Sequence, residues 1–107
     1  MRATLDDSSF GPPDENAGLF RRALTSDSEA AAKLYTRCMP ALQYWLQARL
    51  PGCEAEDLAH EALLTALRRG SRFHHGARLM PWLRTIAWHL AQKRMRGDSR
   101  RKRRERE

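Results

Sequence analysis

The chain has 107 residues and is 41 % apolar, enough for one domain around one modest core. The net charge is +7 and the pI about 10.4, and from Lys93 onward nine basic residues meet three acids, so this segment carries +6 of the total. A charge so localised implies an oriented polyanion partner, and with no secretory or spanning apolar run the sequence excludes a membrane protein and reads as cytoplasmic.

Residues 1–16 combine Asp, Ser, Pro and Gly with few apolar anchors and read as a flexible acidic arm. Residues 17–24, "AGLFRRAL", predict a short helix. A second helix starts at Ser26 and Glu29, which have capping-box spacing. Leu34, Cys38, Leu42, Trp45 and Leu46 then recur at helical intervals. Pro40 falls inside this pattern and predicts a kink, because it removes a donor and crowds the preceding turn. Pro51 and Gly52 end the helix.

A third helix is expected from about Glu54 to Arg69. Glu54, Glu56 and Asp57 lie in its first turn and Arg68 and Arg69 in its last, where the helix dipole favours each sign of charge. Gly70 is expected as a left-handed cap. Leu58, Ala62, Leu63 and Ala66 give an apolar face, and Asp57, His60, Glu61 and Leu64 the opposite one. Residues 71–80 read as a loop. Pro81 at a first helical position opens a fourth helix, with Leu79, Leu83, Ile86 and Leu90 as its buried stripe. Trp82, His89, Lys93 and Arg96 form a second stripe beside it. No alternating strand pattern occurs. The fold class expected is all-α: a compact bundle of about four helices with a flexible N-terminal arm and a basic C-terminal tail.

The aromatic-to-basic stripe is the strongest chemical signal. Aromatic faces stack unpaired bases and the cations beyond them neutralise phosphates. The plainer reading is that Trp82 is core and the tail a solvated run. Phe73 lines a base pocket or anchors a surface loop. On the third helix, a hydrophobe framed by carboxylates suits a docking surface, where the charges set orientation; a solvated face is the alternative. "HEALL" opens like a zinc-protease motif, but position 64 is Leu64 rather than a second histidine. Adjacent His74 and His75 are poorly arranged for one metal. Cys38 and Cys53 form no disulfide framework and read as reduced thiols. No phosphate-binding Gly-rich loop and no nucleophile–base pair occurs, so the sequence predicts no catalytic residue, no metal and no cofactor.

The ordered set "EAEDLAHEALLTALRRGSRF…PWLRTIAWHLAQKRMR" resembles region two of bacterial RNA polymerase sigma factors, closest to the extracytoplasmic-function group, over about residues 17–104. The resemblance implies a non-enzymatic module that docks on core RNA polymerase and recognises and melts the promoter minus-ten element. It assigns contact with the coiled coil of the polymerase's largest subunit to Asp57, Leu58, His60, Glu61 and Leu64. It assigns contact with the non-template minus-ten strand to Phe73, Trp82, Thr85, Ile86, His89, Lys93, Arg94 and Arg96. It admits an anti-sigma factor as a further partner, though no residue identifies one. His60 stands where the family usually has glutamine, and His89 where it usually has asparagine, which changes the donor and acceptor set offered to a base. Trp88 replaces a usually basic residue and either stacks on DNA or packs. The domain is expected over 17–96, with 97–107 as helix end and linker and the family's second promoter-binding domain absent. A general helical nucleic-acid-binding protein and an interaction module without polymerase docking are the other readings.

Overall fold

The computed structural model describes residues 14–74 and 77–106, with side chains as far as Asp98. Among these residues there are four α-helices and no strand. They are α1 (Glu15–Leu24), α2 (Ser28–Arg49), α3 (Ala55–Arg68) and α4 (Leu79–Arg106), with a 3-10 turn at Gly70–Arg72. The expected arm lies outside the described residues as far as residue 13, and so do His75, Gly76 and the side chains of the basic tail. Asp14, Glu15 and Asn16 belong instead to the start of α1.

Asp14 ties two helix starts together. Its Oδ1 accepts from the Asn16 N–H at 3.2 Å and so caps α1. Its Oδ2 accepts from the Leu79 N–H at 2.7 Å and so caps α4. One carboxylate thereby meets the positive ends of two helix dipoles. α4 consequently begins two residues before the expected start, and Pro81 falls within its first turn, where a missing N–H costs little.

The N-cap of α2 is Asp27, not the expected Ser26. Asp27 Oδ1 accepts from the Ala30 N–H at 3.1 Å. Ser26 adopts a left-handed φ of 71° in the link from α1, which removes it from cap geometry. α2 continues as one helix through exposed Pro40. Leu34, Cys38, Leu42 and Leu46 are buried on either side of the proline, so packing holds the helix across its missing hydrogen bond. The helix ends before Gly52, whose φ of 88° favours glycine.

Gly70 does not form the expected left-handed cap. Arg69 caps α3 at φ −104°, and Gly70 opens the 3-10 turn. A Cβ on Gly70 would stand 2.5 Å from Leu24 Cδ2 at the end of α1, so the exposed Leu24 side chain would have to turn aside for it.

The core is one continuous cluster drawn from all four helices. Phe20, Leu34, Leu42, Leu46, Leu79 and Leu83 are its largest fully buried side chains. The apolar faces expected for α3 and α4 point into it, with Leu90 at its margin. Cys38 is also buried, and desolvation, aided by the negative charge of Asp14 and opposed by Arg37, pushes its thiol up to about 11. It therefore stays protonated and inert near neutral pH.

Candidate functional site

α4 has three distinct sides. At about 100° per residue, Thr85, His89, Lys93 and Arg96 fall within an arc of about 80°. All four are exposed and form one row. Leu83, Ala87 and Ala91 face the core. Arg94 continues that inward side, about 180° from Thr85. Arg84 and Trp88 lie on the flank facing α2, where each is half-buried. The exposed Thr85 hydroxyl donates to the Pro81 carbonyl at 3.1 Å and keeps its capacity to accept.

The N-terminal end of the row meets an aromatic cluster. Phe73 packs 5.4 Å from Phe20 and 5.2 Å from Trp82, centroid to centroid. Phe20 and Trp82 stand edge to face at 5.7 Å. The Arg21 guanidinium lies 5.9 Å from the Phe73 centroid. Phe20 is fully buried, whereas Phe73 and Trp82 are half-buried and keep part of their surface open. These two residues thus pack on the core and also border the row. Ile86, by contrast, is 6 % exposed and belongs to the core, so it supports the row from beneath.

The flank of the row toward α2 meets a second aromatic pair. Trp88 stands edge to face with Trp45 of α2 at 6.4 Å. The guanidiniums of Arg49 and Arg84 lie 5.2 and 5.8 Å from the Trp45 centroid. Trp88 therefore packs against a partner on another helix and, being half-buried, keeps part of its ring open.

α3 turns Asp57, His60, Glu61 and Leu64 away from its buried face. Leu58 is only 2 % exposed and anchors the helix to the core, which takes it out of any contact surface. The His60 ring meets Tyr35 of α2 edge to face at 5.9 Å. Tyr35 is itself exposed and widens this surface across two helices. No period in the sequence pairs Tyr35 with His60, so it escaped sequence reasoning.

The two predicted surfaces meet at Arg94. Its Nη1 donates to Asp57 Oδ2 at 3.0 Å and lies 3.5 Å from Glu54 Oε1. Its Nη2 donates to Glu61 Oε1. Arg94 was expected on DNA with Lys93 and Arg96; its helical phase turns it toward α3 instead. The carboxylates are 43–78 % exposed, so each pair contributes well under about 1 kcal/mol. The effect is mainly geometric: the fork fixes the acids of α3 relative to α4.

Among the described residues no group of three or more side chains is arranged to hold a metal ion. Nor is any helix among them long and apolar enough to cross a membrane. The site therefore offers stacking surfaces, a cationic row and a carboxylate-framed face.

The family model described as Sigma-70 region 2 matches residues 34–101. That span runs from within α2 through α3, the loop and most of α4. Among curated proteins and solved structures, no match is found.

Proposed function

The chain belongs to the sigma-70 region 2 family, and on that premise we propose that it docks on core RNA polymerase through α3 and holds the melted minus-ten element along α4. Sigma factors of this family act in transcription initiation with core RNA polymerase and promoter DNA as partners, and they are not catalysts. The motif order argues for the extracytoplasmic-function group, acting in the cytoplasm where the polymerase is.

The observation that carries the proposal is the exposed row Thr85–His89–Lys93–Arg96 with an open aromatic pair at its margin. Extruding a base costs a few kcal/mol of unstacking. Stacking on Phe73 and Trp82 returns roughly 1–3 kcal/mol per base. His89 offers a ring nitrogen to a base edge, as donor or acceptor according to its tautomer. Lys93 and Arg96 neutralise phosphates further along. Asp57, His60, Glu61 and Leu64 supply the docking face, Leu58 its footing and Arg94 its alignment, while Ile86 underlies the row on α4.

The chain is expected to bind a single-stranded non-template minus-ten oligonucleotide about tenfold more tightly than a shuffled strand, a difference of about 1.4 kcal/mol. His89→Ala should reduce that preference. Lys93→Gln should weaken both strands equally and lower the salt slope by about 0.7. Equal affinity of the unmodified chain for the two strands would contradict base reading.

A further inference from the structure

The α2–α4 margin of the row carries its own cleft, lined by Trp45, Arg49, Arg84, Thr85 and Trp88, with a volume of about 260 Å³. We infer that this cleft takes one nucleotide of the single strand, at a position separate from the Phe73–Trp82 pair. The inference rests on the reading above that the α4 row meets DNA.

Three observations converge on an anionic, planar occupant. First, the lining combines two indoles with two guanidiniums and contains no carboxylate. Second, both guanidiniums sit against the one Trp45 ring, yet neither forms an ion pair among the described residues. Third, Arg84 Nε is buried without a hydrogen-bond partner. A buried donor on a cation left unsatisfied is costly, and an incoming anionic oxygen removes that cost. Packing of α2 on α4 accounts for the Trp45–Trp88 contact. It leaves two like charges on one ring and an unused donor unexplained.

A nucleotide fits all three features. The guanidiniums held on Trp45 receive the phosphate and the Trp88 indole stacks the base. The volume lies just below the usual range for drug-sized ligands of about 300–1,000 Å³, which suits a single base better than an extended ligand. Continuity selects a strand over a free nucleotide. Thr85 lines the cleft and also begins the row, and Trp88 precedes His89 on the same helix. A strand following the row would thus find one stacking site at its N-terminal end and another on its α2 flank.

The test measures binding of a labelled single strand of about 12 nucleotides to the full chain, at salt between about 50 and 200 mM. Trp88→Leu removes no charge, so its loss of affinity, expected at about 5- to 30-fold, should persist at the higher salt. Arg84→Gln keeps the indole pair and serves as the variant safest for folding. It should weaken binding and lower the salt slope by about 0.7. Unchanged affinity in both variants, while His89→Ala and Lys93→Gln still lose theirs, overturns the cleft and leaves the row standing. Failure of the unmodified chain to bind any strand overturns both. Adenosine monophosphate bound as tightly as the strand also overturns the assignment to a strand.

Discussion

Phe20→Ala is expected to lower stability by about 3–5 kcal/mol. Phe20 is fully buried and is the ring on which both Phe73 and Trp82 pack edge to face. Truncation leaves a cavity that the helices cannot easily close, and it also removes two aromatic contacts worth roughly 0.5–1.5 kcal/mol each. Domains of this size hold only about 5–15 kcal/mol in total, so a large share of the margin disappears. Denaturant titration followed by circular dichroism reads the loss. A second consequence separates this variant from ordinary core damage. Phe73 and Trp82 lose their common support, so strand preference should fall even under conditions where the chain stays folded. Leu34→Ala, also at a fully buried position, should cost about 2–5 kcal/mol and leave that preference intact, because Leu34 has no place in the ring cluster. Equal loss of preference in both variants would mean that the aromatic cluster has no special connection with the strand.

Glu61→Lys is expected to weaken binding to the polymerase coiled coil by about 100-fold or more, within the range of about 2–5 kcal/mol for truncating one side of a desolvated charge pair. Two effects mix in this variant. The new ammonium faces the Arg94 guanidinium, which loosens α3 from α4, and the docking face loses a carboxylate. Magnitudes separate them. The exposed Arg94–Glu61 pair contributes at most about 1 kcal/mol to folding, too little to account for a 100-fold loss. The charge swap Glu61→Lys with Arg94→Glu provides the decisive comparison. It rebuilds that one pair with the signs reversed while the new carboxylate still faces Asp57 and Glu54, so thermal stability should recover only in part. Docking should not recover, because the coiled coil still meets a lysine. Recovery of docking in the swap would show that Glu61 acts only through the bundle.

The four helices were legible because their apolar spacing is regular and their ends carry proline, glycine or a cap residue. What escaped were contacts made across the chain. The role of Asp14 depends on a hydrogen bond to a residue 65 positions away, and in sequence it looked like the end of a polar arm. The cap of α2 shifted from Ser26 to Asp27 because either residue satisfies local spacing and only backbone geometry selects one. Gly70 lies against the Leu24 side chain, a contact that local spacing does not show.

The candidate site was legible to the same depth. The stripe Trp82–His89–Lys93–Arg96 follows from helical phase alone, and Thr85 shares that phase. So does the inward turn of Arg94, since Leu83, Ala87, Leu90 and Arg94 recur at four-, three- and four-residue intervals. Charge groups Arg94 with its basic neighbours, whereas its phase turns it toward the acids of α3. Leu58 and Ile86 were drawn into the site by motif although their own apolar stripes assign them to the core. The partners of Tyr35, Trp45 and Trp88 required the packing of α2 against α3 and α4, which no local pattern encodes.

The central claim is that one rigid bundle couples docking through α3 to base reading along α4. Selection of single strands from a randomised pool by the chain bound to core polymerase tests both parts together. The account predicts enrichment of a minus-ten-like sequence that weakens with His89→Ala and vanishes with Glu61→Lys. A recovered pool indistinguishable from the input, or enrichment that survives Glu61→Lys unchanged, would contradict it.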